Sequence, residues 1–294
     1  MKFSQIVLIA LLCGVVAFAT SFYVASATRE HAAHESAFDR VTRTKTLRCG
    51  YLIYSPLLIK DPKTGAFSGI VYDLTELLGR KLGLKVEWVQ ETSWGTAAQD
   101  LDSRRFDMVC SGFWVNSLMA GAYGYTKPLF YQPMWPIVRA DDTRFDNDLN
   151  AINDPKIRIV SLDGDIPLQI GAEQFPRAQT YALQNFSDYN QLFLEIASNK
   201  ADVTFLEGDF PQRFMNANPG KIKLLLNHGP IRVYANPWAI KRGEIEFADY
   251  LNSAIDEIVF SSAVEDAFKK YGVYPEGYYL VNQPFHPYRE IKGL

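Results

Sequence analysis

The sequence is poor in the residues on which many enzymes and metal sites depend. It contains three cysteines, four histidines and five methionines in 294 residues. No G-x-S-x-G, H-E-x-x-H, P-loop, G-x-G-x-x-G or C-x-x-C motif occurs, so the common signatures of hydrolases, zinc proteases, nucleotide-binding proteins and dithiol oxidoreductases are absent. The pair His31 and His34 lies among alanines and glutamates, which is more typical of a solvated arm than of a metal site. We therefore expect no cofactor, no metal site and no catalytic residues.

The sequence also lacks an excess of charge of either sign. Thirty basic and 33 acidic residues leave a net charge of −3, and no dense block of lysine and arginine occurs. This balance does not favour a nucleic-acid partner. Hydrophobic residues make up 48% and charged residues 21%, as in an ordinary globular protein, and the length is sufficient for two lobes.

The one long apolar run is at the N-terminus. Lys2 precedes an apolar segment from Ile6 to Ala19, and Ala25-Ser26-Ala27 matches an A-x-A cleavage site. Residues 1–27 therefore predict a signal peptide and export to the periplasm. An uncleaved inner-membrane anchor is the alternative, because weak apolar character continues to Val24, close to the ~20 residues of a membrane span. The polar residues 28–45 are interpreted as a spacer.

The segment from Leu47 to Arg139 predicts the order β-α-β-α-β. Apolar residues of the first helix recur at spacings of three and four, and Gly83 stands where a left-handed C-cap would end it. This order builds a parallel sheet covered by helices on both faces. The predicted elements are strands at 47–52, 84–88 and 106–110 and helices at 70–82 and 97–101.

The same alternation repeats in the second half. Strands are predicted at 157–160, 180–183 and 203–206 and helices at 166–175 and 189–197. The run Arg105-Phe106-Asp107-Met108-Val109 is matched by Lys200-Ala201-Asp202-Val203-Thr204, in which an Asp follows a basic residue by two positions and precedes a strand. We therefore predict two α/β lobes, with lobe 1 formed by 46–139 and 240–294, lobe 2 formed by 140–239, and segments near Arg139 and at 234–240 crossing between them. Two further helices close lobe 1, the second starting with the capping-box pattern Ser262-x-x-Glu265.

Several of these features together resemble a known family. They are spread in order from Leu47 to about Gly272: Gly65, Gly69, Asp73-Leu74, Leu82-Gly83, Trp94, Phe106-Asp107 and 125–131. The pattern is similar to that of the polar-amino-acid type of solute-binding protein, family 3, the soluble receptors of ABC importers. The resemblance implies an α/β, two-lobed periplasmic-binding-protein-like fold of type II. It also implies a monomer that captures a small solute between its lobes and presents it to a membrane permease.

The resemblance also indicates candidate ligand-binding residues. Ligands of open α/β sheets lie beyond the carboxyl ends of the strands. The positions that match the family there are Tyr54, Trp94, Ser111, Trp114, Asn116, Met119, Asp165 and Glu207.

Two of these positions depart from the family pattern. The resemblance predicts an arginine at position 119, where it would clamp a ligand carboxylate, but the residue is Met119. Asp165 places a negative charge where the family has small hydroxyl residues. The aromatic residues and Glu207 instead suggest a cationic ligand held by ring faces and one carboxylate. Packing roles for the rings, and an ion pair between Glu207 and a neighbouring cation, remain open alternatives.

Three further expectations follow. In the resembling fold the strands of Cys49 and Cys110 are neighbours, which leaves a disulfide open as the alternative; we expect two buried thiols because a disulfide fits poorly between directly paired strands. Phe113 is expected to point into lobe 1. A transport receptor is the favoured function; the alternatives are a membrane-tethered sensor or accessory module with a degenerate cleft, and a dehydratase-like enzyme using Asp165 and Glu207 as acid and base.

Overall fold

The computed structural model describes residues 35–115, 119–163, 165–184, 189–273 and 275–281. The helices are α1 (Ala37–Thr44), α2 (Ile70–Leu82), α3 (Ala97–Asp102), α4 (Ile166–Gln174), α5 (Tyr189–Ala197), α6 (Asp209–Ala217), α7 (Ile245–Val259) and α8 (Ala263–Lys270). The strands are β1 (Thr46–Tyr51), β2 (Ile59–Lys60), β3 (Phe67–Ser68), β4 (Lys85–Glu91), β5 (Met108–Val109), β6 (Tyr123–Tyr125), β7 (Phe130–Arg139), β8 (Arg158–Leu162), β9 (Gln179–Leu183), β10 (Val203–Glu207), β11 (Ile222–Leu224), β12 (Arg232–Asn236), β13 (Ala239–Lys241) and β14 (Tyr279–Leu280).

The chain divides after Thr44, and helix α1 before that point is a separate unit. The Ser36 hydroxyl accepts the amide hydrogen of Asp39 at 3.0 Å, so the first turn of α1 is capped. The predicted spacer therefore ends in a helix. The predicted signal peptide and the histidine pair lie outside the described residues. Within the described part of the chain, none of the helices has both the length and the apolar character of a membrane span.

The first sheet has the strand order β4-β1-β5-β13-β6. Strand β1 runs parallel to β4 and β5, whereas β13 is antiparallel to β5 and β6. Helix α2 ends as predicted, because Gly83 adopts φ 64° and its amide donates to the carbonyl of Arg80. Helix α2 also starts at a glycine: Gly69 has φ 122°, and a Cβ there would lie 2.5 Å from the carbonyl oxygen of Leu57.

The second sheet has the order β11-β7-β10-β8-β9, with β12 and β14 also paired to β7. Strands β10, β8 and β9 run parallel, and β7 is antiparallel to β10. The central strand β10 is buried along its whole length. Two apolar clusters pack around this sheet, one centred on Phe145, Ile170 and Phe205 and the other on Leu192, Phe193 and Phe214.

The internal sequence match has the same structural basis in both sheets. Asp107 accepts the backbone amide of Arg48 at 2.8 Å and the guanidinium of the same residue at 2.9 Å. Asp202 accepts the amide of Arg158 at 2.9 Å and its guanidinium at 2.8 Å. In each sheet a buried aspartate thus ties the loop before a central strand to the start of a neighbouring strand.

Cys49 and Cys110 form a disulfide, so the expectation of two buried thiols was wrong. The two residues are not directly paired: Cys49 stands opposite Met108, and Cys110 follows the last paired residue of β5. This diagonal placement leaves 5.3 Å between the Cα atoms, within the range that a disulfide spans. Phe113 is fully buried in the core of the first sheet, as expected.

Two further details differ from the predicted elements. Helix α8 starts after Ser262, but that side chain makes no capping bond; its hydroxyl donates to Asp266 at 2.7 Å, so the capping-box prediction was wrong. Helix α6 was not predicted, because Pro211 and Arg213 interrupt its apolar pattern. At the start of the C-terminal tail, strand β14 pairs with the first two residues of β7. Residues 282–294 lie outside the described part of the chain.

The chain passes from the first sheet to the second between β6 and β7, and returns between β12 and β13. The long strand β7 pairs within the second sheet, although the predicted boundary at residue 139 assigned it to lobe 1. Strand pairing alone does not define a lobe, so the residue limits of the two lobes stay a prediction. The turn after β1 meets the end of β10, where Tyr54 contacts Glu207.

Candidate functional site

The candidate site is centred on Glu207, the last residue of the buried strand β10. Its side chain is fully buried. The hydroxyl of Tyr54, in the turn after β1, donates to Glu207 Oε1 at 3.1 Å. The other oxygen, Oε2, is buried and has no hydrogen-bond partner among the described residues. A buried polar atom without a hydrogen-bond partner destabilises a folded protein, so a ligand atom that bonded to this oxygen would be favoured.

Asp165 and Tyr189 extend the cluster. Asp165 caps helix α4, where its carboxylate accepts the amide hydrogen of Ile166 at 2.7 Å. Its second oxygen accepts the hydroxyl of Tyr189 at 3.0 Å. The Tyr189 ring lies 4.9 Å, centroid to centroid, from the ring of Phe210, which in turn lies 5.3 Å from the Tyr54 ring. The structure therefore brings Tyr54, Asp165 and Glu207, all predicted from the sequence, into one group.

A third carboxylate, Asp209, lies at the start of helix α6 and is 7% exposed. Arg213 donates to its Oδ2 at 3.2 Å and, with the same terminal nitrogen, to the carbonyl oxygen of Ser55 at 3.1 Å. The guanidinium also lies 4.9 Å from the centre of the Phe210 ring. Arg213 therefore links α6 to the turn that carries Tyr54. Among the described residues the arginine pairs with Asp209, and no ion pair to Glu207 is found.

Burial controls the ionisation of all three acids. It raises the pKa of Glu207 well above its usual value, and the charges of Asp209 and Asp165 raise it further. Burial raises the pKa of Asp209 to about 6, although Arg213 opposes the shift. Burial also raises the pKa of Asp165, against its bonds to Ile166 and Tyr189. If all three acids were ionised, Arg213 would neutralise only one of them, so the cluster favours a proton or another cation.

Trp114 lies in a second polar group. Its indole nitrogen donates to Gln132 Oε1 at 2.7 Å, and its ring is stacked on Tyr234 at 5.8 Å between centroids. Gln132 Oε1 also accepts the side-chain amide of Asn236 at 2.8 Å, and Asn236 Oδ1 is buried without a partner among the described residues. Gln132 and Asn236 stand on β7 and β12, next to the points at which the chain changes sheet. This group fixes one face of Trp114 and leaves the residue half-buried.

The remaining predicted residues have different surroundings. Trp94 is 44% exposed and packs edge-on against Phe113. The hydroxyl of Ser111 is buried, accepting the amide of Leu52 at 2.8 Å and donating to its carbonyl at 3.0 Å. Met119 is partly buried and packs against the core of the first sheet. Asn116 lies outside the described residues.

Sequence reasoning did not identify Tyr189, Asp209 or Arg213 as members of this group. Asp209 follows Glu207 by two positions, and a pair of acids at the end of a central strand was a visible signal. Tyr189 and Arg213 gave no such signal, because their relation to the site depends on how α5 and α6 pack. Among the described residues, no three acidic, histidine or cysteine side chains are arranged to hold a metal ion.

Sequence comparison gives two kinds of match. The sequence model of the family "Bacterial extracellular solute-binding proteins, family 3" matches residues 47–274. A probable amino-acid ABC transporter-binding protein of Haemophilus influenzae is 31% identical over 150 residues, which are 51% of this chain and 52% of that relative. The chain thus spans about half the length of this relative. A cyclohexadienyl dehydratase of Pseudomonas aeruginosa is 25% identical over 190 residues, 64% of this chain and 68% of the relative.

Comparison of structures gives the fold. A putative ABC transporter binding component of Wolinella succinogenes, complexed with lysine, superposes with a TM-score of 0.65 at 20% identity, over 81% of this chain and 97% of the other. An ancestral amino acid-binding protein, described as a precursor of cyclohexadienyl dehydratase, gives 0.64 at 22% identity, over 80% and 99%. The predicted two-lobed, type II periplasmic-binding-protein fold is therefore confirmed.

Proposed function

The chain belongs to the bacterial extracellular solute-binding proteins, family 3, and from this membership we propose that it is a receptor that captures a small cationic solute for an ABC-type importer. The family consists mostly of solute-binding receptors that work with membrane permeases. The ligand proposed here differs from an ordinary amino acid held by an arginine clamp. The observation that carries the proposal is the buried, unpartnered Oε2 of Glu207.

A cation placed against Oε2 would give a hydrogen-bond partner to an atom whose burial is otherwise unfavourable. Glu207 already accepts the hydroxyl of Tyr54 through Oε1, so the carboxylate is held in one orientation. An ammonium or guanidinium group would add a charge-assisted hydrogen bond, which is roughly twice as strong as a neutral one. The rings of Tyr54, Tyr189 and Phe210 would provide surfaces for the apolar part of the solute, and a desolvated cation over such a ring gains about 2 kcal/mol.

The chain's own N-terminal features extend this proposal to location and partner. The predicted signal peptide would export the protein to the periplasm, with inner-membrane anchoring as the alternative. The permease would be the membrane partner, and the receptor would act as a monomer, as the family resemblance implies. In this receptor proposal the described residues bind the solute and have no catalytic role. Trp94, Ser111, Trp114, Asn116 and Met119 stay predicted ligand contacts.

The proposal is tested with a thermal-shift panel on the chain from residue 28. The panel contains amino acids of each charge, diamines, quaternary ammonium compounds and carboxylates. A ligand present at 100 times its Kd stabilises the folded state by about 2.7 kcal/mol, and for a chain of this size each kcal/mol raises the melting temperature by about 2–4 °C. Cations are expected to stabilise the protein and anions are not. Stabilisation by acidic amino acids alone, or by no member of the panel, would contradict a cation receptor.

A dehydratase is a second candidate, favoured by one specific observation. Burial raises the pKa of Glu207 well above its usual value, which favours the protonated form that a general acid toward a leaving hydroxyl requires. The similarity to a cyclohexadienyl dehydratase covers 64% of this chain. The test is spectrophotometric: a cyclohexadienyl acid is incubated with the wild type and with Glu207→Gln, and formation of the aromatic product is followed. Turnover that depends on Glu207 would support the enzyme, and its absence would leave the receptor.

A further inference from the structure

The charges in the cluster around Glu207 narrow the proposed function to one class of ligand. Resting on that function, we propose that the site selects an organic dication without a carboxylate, such as a diamine or a guanidino-amine, over the α-amino acid that carries the same side chain. The family membership does not require this, and two of the proteins compared above are named as amino-acid-binding proteins.

The acids of the cluster outnumber its cations. Glu207, Asp165 and Asp209 contribute three carboxylates, and Arg213 contributes one guanidinium. Arg213 already donates to the carboxylate and the carbonyl oxygen of Asp209, and to the carbonyl of Ser55. Two negative charges thus remain when the three acids are ionised, and a ligand with two positive charges balances them. An amino acid such as lysine brings the same two cations together with a carboxylate that the cluster repels.

The helix N-terminus at which the family would hold a ligand carboxylate is occupied by Asp165. Asp165 is the N-cap of helix α4, and a helix N-terminus attracts anions. Here the carboxylate of Asp165 itself accepts the Ile166 amide at 2.7 Å. Met119, the position at which an arginine would clamp the anion, packs against the apolar core of the first sheet. The amide at the start of helix α4 is therefore already bonded to Asp165, and the side chain at position 119 carries no positive charge.

The sequence has no cationic residue in the short segments between Val115 and Tyr189 that the structure does not describe. The short segments 116–118, 164 and 185–188 contain Asn, Ser, Leu, Gly, Phe and Asp but no lysine or arginine. The independent sign of a ligand is again Glu207 Oε2, which is buried and unpartnered among the described residues. Asp165 has a second carboxylate oxygen that accepts only the hydroxyl of Tyr189 in the described contacts. One ligand cation would meet Glu207 and the other Asp165, with the carbon chain along the Tyr189 and Phe210 rings.

The test compares ligand pairs that differ only in the carboxylate. The affinities of cadaverine and lysine, and of agmatine and arginine, are measured by isothermal titration calorimetry on the chain from residue 28. The decarboxylated member of each pair is expected to bind at least ~30-fold more tightly, because a like charge in a desolvated site is costly. Tighter binding of lysine and arginine would overturn this inference while leaving a cation receptor intact. Binding of neither pair would reject both proposals for these cations.

A substitution separates the role of Asp165 from that of the site as a whole. Asp165→Ser keeps a hydroxyl that can cap helix α4 but removes the negative charge. The preference for cadaverine over lysine is expected to fall at least ~10-fold in this variant. Asp102→Asn, at an exposed acid that ends helix α3, is the matched control and should leave the ratio unchanged. If Asp165→Ser does not fold, the wild-type ratio alone decides the inference. An unchanged ratio in a folded Asp165→Ser protein would refute the role given to that carboxylate.

Discussion

The buried acids of the candidate site predict an unusual dependence of stability on pH. Burial raises the pKa of Asp209 from 3.8 to about 6. A group whose pKa is higher in the folded state stabilises that state at low pH, and this contribution is lost as the pH rises through the folded-state value. This rise in the pKa of Asp209 corresponds to about 3 kcal/mol of folding stability in full, of which about 2 kcal/mol is lost between pH 4.5 and 7.5. Glu207 adds a loss of the same sign, because its pKa is also raised.

The assay is urea unfolding of the ligand-free chain from residue 28 between pH 4.5 and 7.5. The lower limit avoids the opposite effect of Asp142 and Asp202, whose pKa values are lowered and whose contributions are lost as the pH falls below about 4. The wild type should become less stable as the pH rises, by about 2 kcal/mol or more. Asp209→Asn should remove about 2 kcal/mol of that loss, and Glu207→Gln should reduce it further.

Matched surface substitutions provide the controls. Asp102→Asn and Glu257→Gln change the same chemical groups at acids that are 63% and 66% exposed, and both should keep the wild-type slope. The predicted pH dependence is refuted if the stability of the wild type stays constant or increases from pH 4.5 to 7.5. An equal slope in the wild type and Asp209→Asn would also refute it, because the loss would then arise elsewhere.

Three other predictions follow from local features. Replacing both Cys49 and Cys110 by serine removes a cross-link with a sequence separation of 61 residues and should lower the free energy of unfolding by about 4 kcal/mol; reductant should then have no further effect on the variant. Trp114→Phe removes the bond to Gln132 and should cost about 1 kcal/mol in urea unfolding, and a neutral result would show that water replaces the indole. Gly69→Ala forces a side chain onto φ 122° and toward a neighbouring carbonyl, so a loss of about 1–3 kcal/mol is expected; wild-type stability would mean that the turn relaxes freely.

Much of the fold was predictable because its signals are local. The helix Ile70–Leu82 has the right spacing and a glycine at its end, and the strands of both halves are compact apolar runs. Asp107 and Asp202 revealed the internal repeat in the sequence, because each accepts the backbone amide of an arginine on a neighbouring strand of its own sheet. The chain's assignment to a type II fold followed from the order of such elements.

The features that the sequence did not predict correctly depend on contacts between distant segments. The disulfide was missed because its geometry is decided by the register of β1 and β5, which places Cys110 diagonally to Cys49. The helix Asp209–Ala217 has weak local signals and is stabilised by its packing on the second sheet. Of the candidate site, Tyr54, Asp165 and Glu207 were predicted by family position. Tyr189 and Arg213 reach the same place only through the packing of their helices.

The most direct test of a cation bound against Glu207 is the affinity of one cationic ligand from the panel for three proteins. These are the wild type, Glu207→Gln and the surface control Glu257→Gln, measured by calorimetry at one pH and ionic strength. Removing one partner of a buried charge pair costs about 2–5 kcal/mol, so Glu207→Gln should bind at least ~30-fold more weakly and the control should match the wild type. Equal affinity in all three proteins would contradict the account, because the cation would then bind elsewhere.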